Sequence, residues 1–344
     1  MSRMFSVDTF RLVAIIAVIS IHASPFENLN APDIYFYKLL AVFIDQTSRF
    51  AVPFFFAISG YFWSNKIKKG NSPISSAHHL SKRVLGIFIF WSAVYLLPYN
   101  ISSIAEFGYL GPIKVAYWHG LHILNNPTSL LIQGTKFHLW FLPSLIFSTY
   151  FCALFIQLGL NKILLTLAVI LYILGALTTA YSETPIGVFI GFDTVKTPML
   201  GILLFYSGYY LNTLKTTIKW LHYGILIFML GWSIHFGEIF TLWKVYNIAP
   251  HYDYVFGTYL MGLGITIAAV SNHPAFTKNN FNTYGYLTLG IYASHLIFIE
   301  QLEYINKTLQ TPLWEVSYVI IVFILSVIFT KVLSHIKWIK NFVT

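Results

Sequence analysis

Apolar residues in this chain come in blocks of about twenty. They show neither the strict alternation of a half-buried strand nor the three-and-four spacing of a surface helix. Coiled as helices, blocks of that length match the hydrocarbon thickness of a bilayer. Only helices and closed barrels satisfy their backbone groups in lipid, and the unbroken runs select helices. We read ten spans: 10–28, 43–63, 83–99, 138–158, 163–180, 197–213, 220–236, 254–271, 285–302 and 313–334. The second run begins earlier, near Tyr35, so its first turn or two is expected at the interface. The predicted fold is all-α, a polytopic helical bundle, with residues 1–344 forming a single transmembrane domain.

Composition agrees: 10% of residues are charged and 57% hydrophobic, against about 25% charged in a soluble domain. The net charge of +9 invites a nucleic-acid reading, but its distribution does not. Fourteen of the 21 lysines and arginines fall on the side of the N-terminus: Arg3, Arg11, Lys66, Lys68, Lys69, Lys82, Arg83, Lys162, Lys215, Lys219, Lys278, Lys331, Lys337 and Lys340. That asymmetry puts both termini in the cytoplasm and accounts for the charge with membrane lipids and no nucleic acid as partner. A single cysteine, Cys152, rules out an intrachain disulfide framework.

One segment carries unexpected chemistry. Between Asp8 and Ala23, Arg11 and His22 flank ten residues of which only Ser20 is not apolar. Eleven residues are nearly three turns, so both side chains project from one helix face, about 16 Å apart along the axis. Ionisable groups inside a membrane usually line a protein interior or a wet cavity. Ala23-Ser24 after a short apolar core resembles a signal-peptide end, but such peptides have no use for this stripe. Arg11 alone fits snorkelling to headgroups, and Asp8 fits the positive end of a helix dipole; the shared face with His22 argues for more.

Other polar groups accompany it. Asp45 and Arg49 stand four apart, the spacing of a helical ion pair, either neutralising each other or meeting a substrate. Lys82 and Arg83 open the third span as cytoplasmic anchors or as phosphate ligands. Ser59 and Gly60 allow close helix approach. His138, Trp140, Tyr292 and His295 place two imidazoles and two aromatics at or within spans, as interfacial or interhelical groups or as a substrate site. No Cys/His spacing forms a zinc site, His78-His79 being only an adjacent loop pair, and no phosphate-loop or dinucleotide fingerprint is present. Loops 64–82, 100–137 and 237–253 connect the spans.

Together these motifs resemble the acyltransferase-3 family of integral membrane acyltransferases. The likeness rests on Asp8, Arg11 and His22; on Arg49 to Tyr61, reading R-x-x-V-P-F-F-F-x-x-S-G-Y; on His138 to Leu142; and on Ile291 to His295. It implies ten helices in a bacterial inner membrane. It also implies transfer of an acyl group, often acetyl, from cytosolic acyl-CoA such as acetyl-CoA to a hydroxyl of a surface polysaccharide, lipid-linked saccharide or related glycan. The family's Arg-x-x-Arg at the third helix is incomplete here, with Arg83 present and Gly86 in the second place.

On this reading His22 is the catalytic base, or the carrier of a transient acyl group, and Arg11 and Asp8 complete the catalytic set. Arg11, Lys82 and Arg83 bind the donor's phosphates. Arg49, Asp45, His138, Trp140, His295 and Tyr292 line the acceptor side. The rival is a flippase or small-molecule transporter using the same intramembrane charges.

Overall fold

The computed structural model describes residues 3–29, 33–190, 194–277 and 280–344. Lys278, counted above with the N-terminal side, lies outside them. All regular structure among the described residues is helical. The main helices are α1 (Phe5–Ala23), α2 (Ile34–Ser48), α3 (Ala51–Lys68), α4 (Pro73–Val94), α5 (Gly111–Asn125), α6 (Pro127–Gln133) and α7 (Phe141–Gln157), followed by α8 (Asn161–Leu177), α9 (Met199–Thr213), α10 (Trp220–Tyr246), α11 (Phe256–Val270), α12 (Thr288–Gln301) and α13 (Pro312–Ser334). Among the described residues, five stretches are long and apolar enough to cross a membrane: α1, the α2–α3 run, Phe137–Gln157, α10 and α13. Helices α8 and α11 are apolar but shorter.

Several boundaries differ from the expectation, each for a local reason. The predicted second span is two helices, broken at Arg49 and Phe50. Pro53 explains the break, because its ring lacks an N–H and collides with the carbonyl four residues earlier, that of Arg49. Arg49 therefore sits in a turn, not on a continuous helix with Asp45. The predicted linker 64–82 is mostly helical and shrinks to residues 69–72. Helix α4 starts at Pro73, a residue preorganised for a first turn, and the Ser72 hydroxyl accepts from Ser75 N–H at 3.1 Å. Lys82 and Arg83 thus stand inside α4 instead of at its opening. Predicted loop 100–137 contains α5 and α6, and α10 runs on through Glu238 and Trp243 to Tyr246.

The chain forms two compact units. The first comprises Met1–Ala14, Arg49–Leu85 and Phe141–Gly285. Its helices approach so closely that side chains would not fit between them. A methyl on Gly60 of α3 would run into the Phe205 carbonyl of α9, and one on Gly208 of α9 into the Ala57 carbonyl of α3. This is how helices associate where lipid supplies no hydrophobic drive. Cys152 of α7 is buried here, its sulfur 3.8 Å from the Ile202 carbonyl.

The second unit comprises Ile15–Ser48, Gly86–Trp140 and Tyr286–Thr344. Trp91 of α4 donates its indole N–H to the Phe342 carbonyl at 3.0 Å, and Phe90 stacks on the Phe342 ring. The turn after α1 is strained: Ser24 and Phe26 have φ of 45° and 69°, a region costly for residues other than glycine. Buried Glu315 of α13 holds it, accepting the Phe26 N–H at 3.0 Å.

Candidate active site

In the second unit three imidazoles converge. His22 occupies the last turn of α1, His138 a short 3-10 turn (Phe137–Trp140) leading into α7, and His295 the middle of α12. Nδ1 of His22 lies 2.7 Å from Nε2 of His295. Their ring centroids are 5.0 Å apart, with the planes inclined by 12°. The His138 ring meets both edge-on, with centroids 5.1 Å from His295 and 6.2 Å from His22. His138 and His295 are fully buried, and His22 partly so.

Backbone carbonyls of α12 organise the cluster. The Tyr292 carbonyl accepts from His295 Nδ1 at 2.6 Å. The Ala293 carbonyl accepts from the Tyr95 hydroxyl at 2.7 Å and, at 3.4 Å, from His138 Nε2. The Tyr292 hydroxyl donates back to the His138 carbonyl. Since Nε2 of His138 carries the hydrogen, Nδ1 bears its lone pair, and that buried atom has no partner among the described residues; neither has the buried Ser294 hydroxyl. Such unsatisfied groups are costly to maintain.

Beside the imidazoles lies an ionic group. Glu300 of α12 accepts from Lys136 at 2.6 Å and from the Tyr99 hydroxyl at 2.5 Å. His119 of α5 donates to the Thr135 carbonyl. Burial, reinforced by the Lys136 ammonium, holds His119 below the ordinary imidazole range.

In the first unit Arg3 and Arg11 meet at Asp8, near the start of α1. The Asp8 carboxylate, 6% exposed, lies 2.5 Å from Arg3 and 3.2 Å from Arg11. The Arg11 guanidinium also rests over the Phe62 ring, 5.0 Å from its centroid, and Arg83 lies within Coulombic range of it. Lys82 and Arg83 are exposed. Asp8 is thus engaged by two arginines at once. Arg49 pairs with Asp253 at 2.5 Å, a partner that no sequence spacing suggested. Asp45 accepts from the Gln46 amide at 2.6 Å. Trp140 is half-buried, one residue from the turn's core.

Of the residues singled out in the sequence, His22, His138, Tyr292 and His295 come together within one unit, and Asp8, Arg11 and Arg83 within the other. Sequence reasoning missed Tyr95, Lys136 and Glu300. Lys136 lies two residues before His138 and Glu300 five after His295, so proximity to those histidines was the available signal. Among the described residues no group of three His, Cys, Asp or Glu side chains is arranged to hold a metal ion.

Comparison with known proteins bears on this arrangement. Over half its length the chain is 27% identical to an amino-acid racemase of Enterococcus faecalis, covering 22% of that protein. Over 49% it is 30% identical to a serine/alanine racemase of Enterococcus gallinarum, again covering 22% of it. The match spans about a fifth of the length of these curated relatives. No solved structure matches. The acyltransferase domain of the Acyl_transf_3 family matches residues 4–331, a range that takes in Arg11, His22, His138 and His295. The chain belongs to the acyltransferase-3 family of membrane proteins.

Proposed function

We propose that this protein is an O-acyltransferase that moves an acyl group, acetyl by default, from cytosolic acyl-CoA to a hydroxyl of a surface polysaccharide or lipid-linked glycan. On this reading ten helices cross a bacterial inner membrane as one domain, with both termini cytoplasmic. Each of the ten apolar segments contains a helix, and the basic residues favour that orientation.

The observation that carries the reading is the part-buried contact of His22 with His295, on a helix that also bears Arg11 three turns earlier. A sugar hydroxyl is a weak nucleophile unless a base takes its proton, and a neutral imidazole suits that task near neutral pH. As the hydroxyl oxygen bonds to the thioester carbonyl carbon, its proton passes to His22. When the tetrahedral intermediate collapses, the C–S bond breaks and the departing thiolate takes that proton, leaving an ester and a free thiol. The helix C-terminus favours the positive charge that His22 carries between those steps, a contribution of about 0.3–1 kcal/mol. Arg11, with Lys82 and Arg83, is suited to the donor's phosphates. The roughly 16 Å along α1 between Arg11 and His22 is of the length of an extended pantetheine arm. Gly86, where the family pattern implies a second arginine, leaves that clamp to Arg83 and Lys82.

The test is thiol release by purified protein in detergent, given acetyl-CoA and a hydroxyl acceptor. His22→Ala is expected to fold and to lose about 10²–10⁴-fold in rate, the usual worth of a general base. Full activity in that variant would remove His22 from the chemistry. A second reading is a lipid-linked glycan flippase or small-molecule transporter that uses the same intramembrane charges. A carrier of that kind would leave acetyl-CoA intact in the same assay.

A further inference from the structure

We infer that His295 is the positioning residue for His22: it dictates which nitrogen of His22 carries hydrogen and which holds the lone pair. The inference rests on His22 acting as the base. It starts from a carbonyl, which has no hydrogen to give. His295 Nδ1, 2.6 Å from the Tyr292 carbonyl, must therefore be the donor. A neutral imidazole has one N–H, so Nε2 of His295 is an acceptor. His22 Nδ1, 2.7 Å from that atom, must in turn donate to it. One hydrogen remains for each ring, and both are now assigned. The lone pair of His22 falls on Nε2.

The ring geometry supports the same assignment. The centroids are 5.0 Å apart while the nitrogens are 2.7 Å apart. The difference about equals the two ring radii, the largest it can be, so both nitrogens lie close to the line of centres. With planes only 12° apart, the imidazoles are nearly coplanar and meet edge to edge. A hydrogen bond lying in both ring planes along that line has close to ideal direction. His295 has little freedom to abandon it: the ring has no exposure, and its anchor is a carbonyl of its own helix. The neighbouring carbonyl, that of Ala293, is in turn fixed by the Tyr95 hydroxyl at 2.7 Å.

The arrangement matters because a base with the wrong tautomer offers hydrogen where a lone pair is needed. It also matters after proton transfer. Once His22 Nε2 has taken the hydroxyl proton, the imidazolium still has its Nδ1–H held by His295 Nε2. His295 thus aligns the base before the step and holds it during the step without touching the reactants.

Two variants separate this role from simple packing. His295→Leu keeps an apolar side chain of similar bulk but removes the acceptor. His295→Gln restores a side-chain oxygen that can accept. Folding of both is checked by size exclusion and thermal melting in detergent. The expectation for His295→Leu is a kcat lowered at least tenfold with the KM for acetyl-CoA within about twofold, and for His295→Gln recovery of most of that loss. The direct readout is nitrogen NMR of protein labelled at histidine, with the His22 signals assigned by their absence in His22→Ala. The wild type should show His22 protonated on Nδ1 and bare on Nε2, and His295→Leu a shift toward the other tautomer. Hydrogen on Nε2 of wild-type His22 would overturn the inference. So would a folded His295→Leu protein with unchanged kcat, or a folded His295→Gln protein as slow as His295→Leu. If the wild type consumes no thioester at all, the acyl-transfer reading fails, while the spectra still decide the tautomer.

Discussion

Asp8 shows how one residue can matter to a reaction it does not enter. Its buried carboxylate engages Arg3 and Arg11 together, and charge-assisted bonds of this kind are about twice as strong as neutral ones. The role expected for it is to aim Arg11. Replacing Arg11 by Ala should raise the KM for acetyl-CoA about ten- to a hundredfold, as follows from losing one bond to a charged group of about 1.5–3 kcal/mol, while kcat stays near wild type. Asp8→Asn should move KM the same way and less. Initial-rate kinetics over a range of donor concentration checks both. A loss confined to kcat would put Asp8 and Arg11 at the reacting atoms instead. At this scale the sequence was informative about which residues matter and silent about their partners. His22 stands out because a polar ring in an apolar run demands an explanation. Its contact with His295 spans 273 positions, and no spacing rule reaches that far. Arg49 with Asp253 is a second instance, 204 residues apart.

Elements were easier to foresee in their middles than at their ends. Apolar blocks locate helices because the bilayer fixes their length, and α9, α11 and α13 begin and end within two residues of the predicted spans. Helices that continue into polar sequence gave no such signal. The start of α4 (Ile74 to Lys82) is rich in serine and histidine, and the end of α10 mixes charged and aromatic residues; both are compatible with helix and loop. The proline break at Arg49 was legible in principle, since Pro53 dictates it. The tight seam between α3 and α9 follows from single glycines. Gly208→Ala should therefore be poorly tolerated, because the new methyl meets a backbone carbonyl that cannot swing aside. A loss of about 1–3 kcal/mol or more is expected, in line with overpacking a well-filled core. Thermal melting in detergent, with Gly120→Ala as the control at a site where a methyl meets open space, is the measurement. Equal melting of the two variants would mean that the seam relaxes readily.

For the molecule as a whole, the proposed ten crossings make a definite statement about sidedness. Tyr109, 93% exposed between α4 and α5, belongs outside; Asn71, exposed in the short link from α3 to α4, belongs in the cytoplasm. On intact cells, a membrane-impermeant maleimide should modify Tyr109→Cys and spare Asn71→Cys until the membrane is opened. The reverse pattern would invert the orientation and move the donor to the other face. The chain's own thiol makes this experiment unusually clean. Cys152 has no exposed surface and is walled in against a neighbouring helix. The native background is therefore expected to be dark to such reagents, and every introduced cysteine becomes the sole reporter of its own address without first rebuilding the protein.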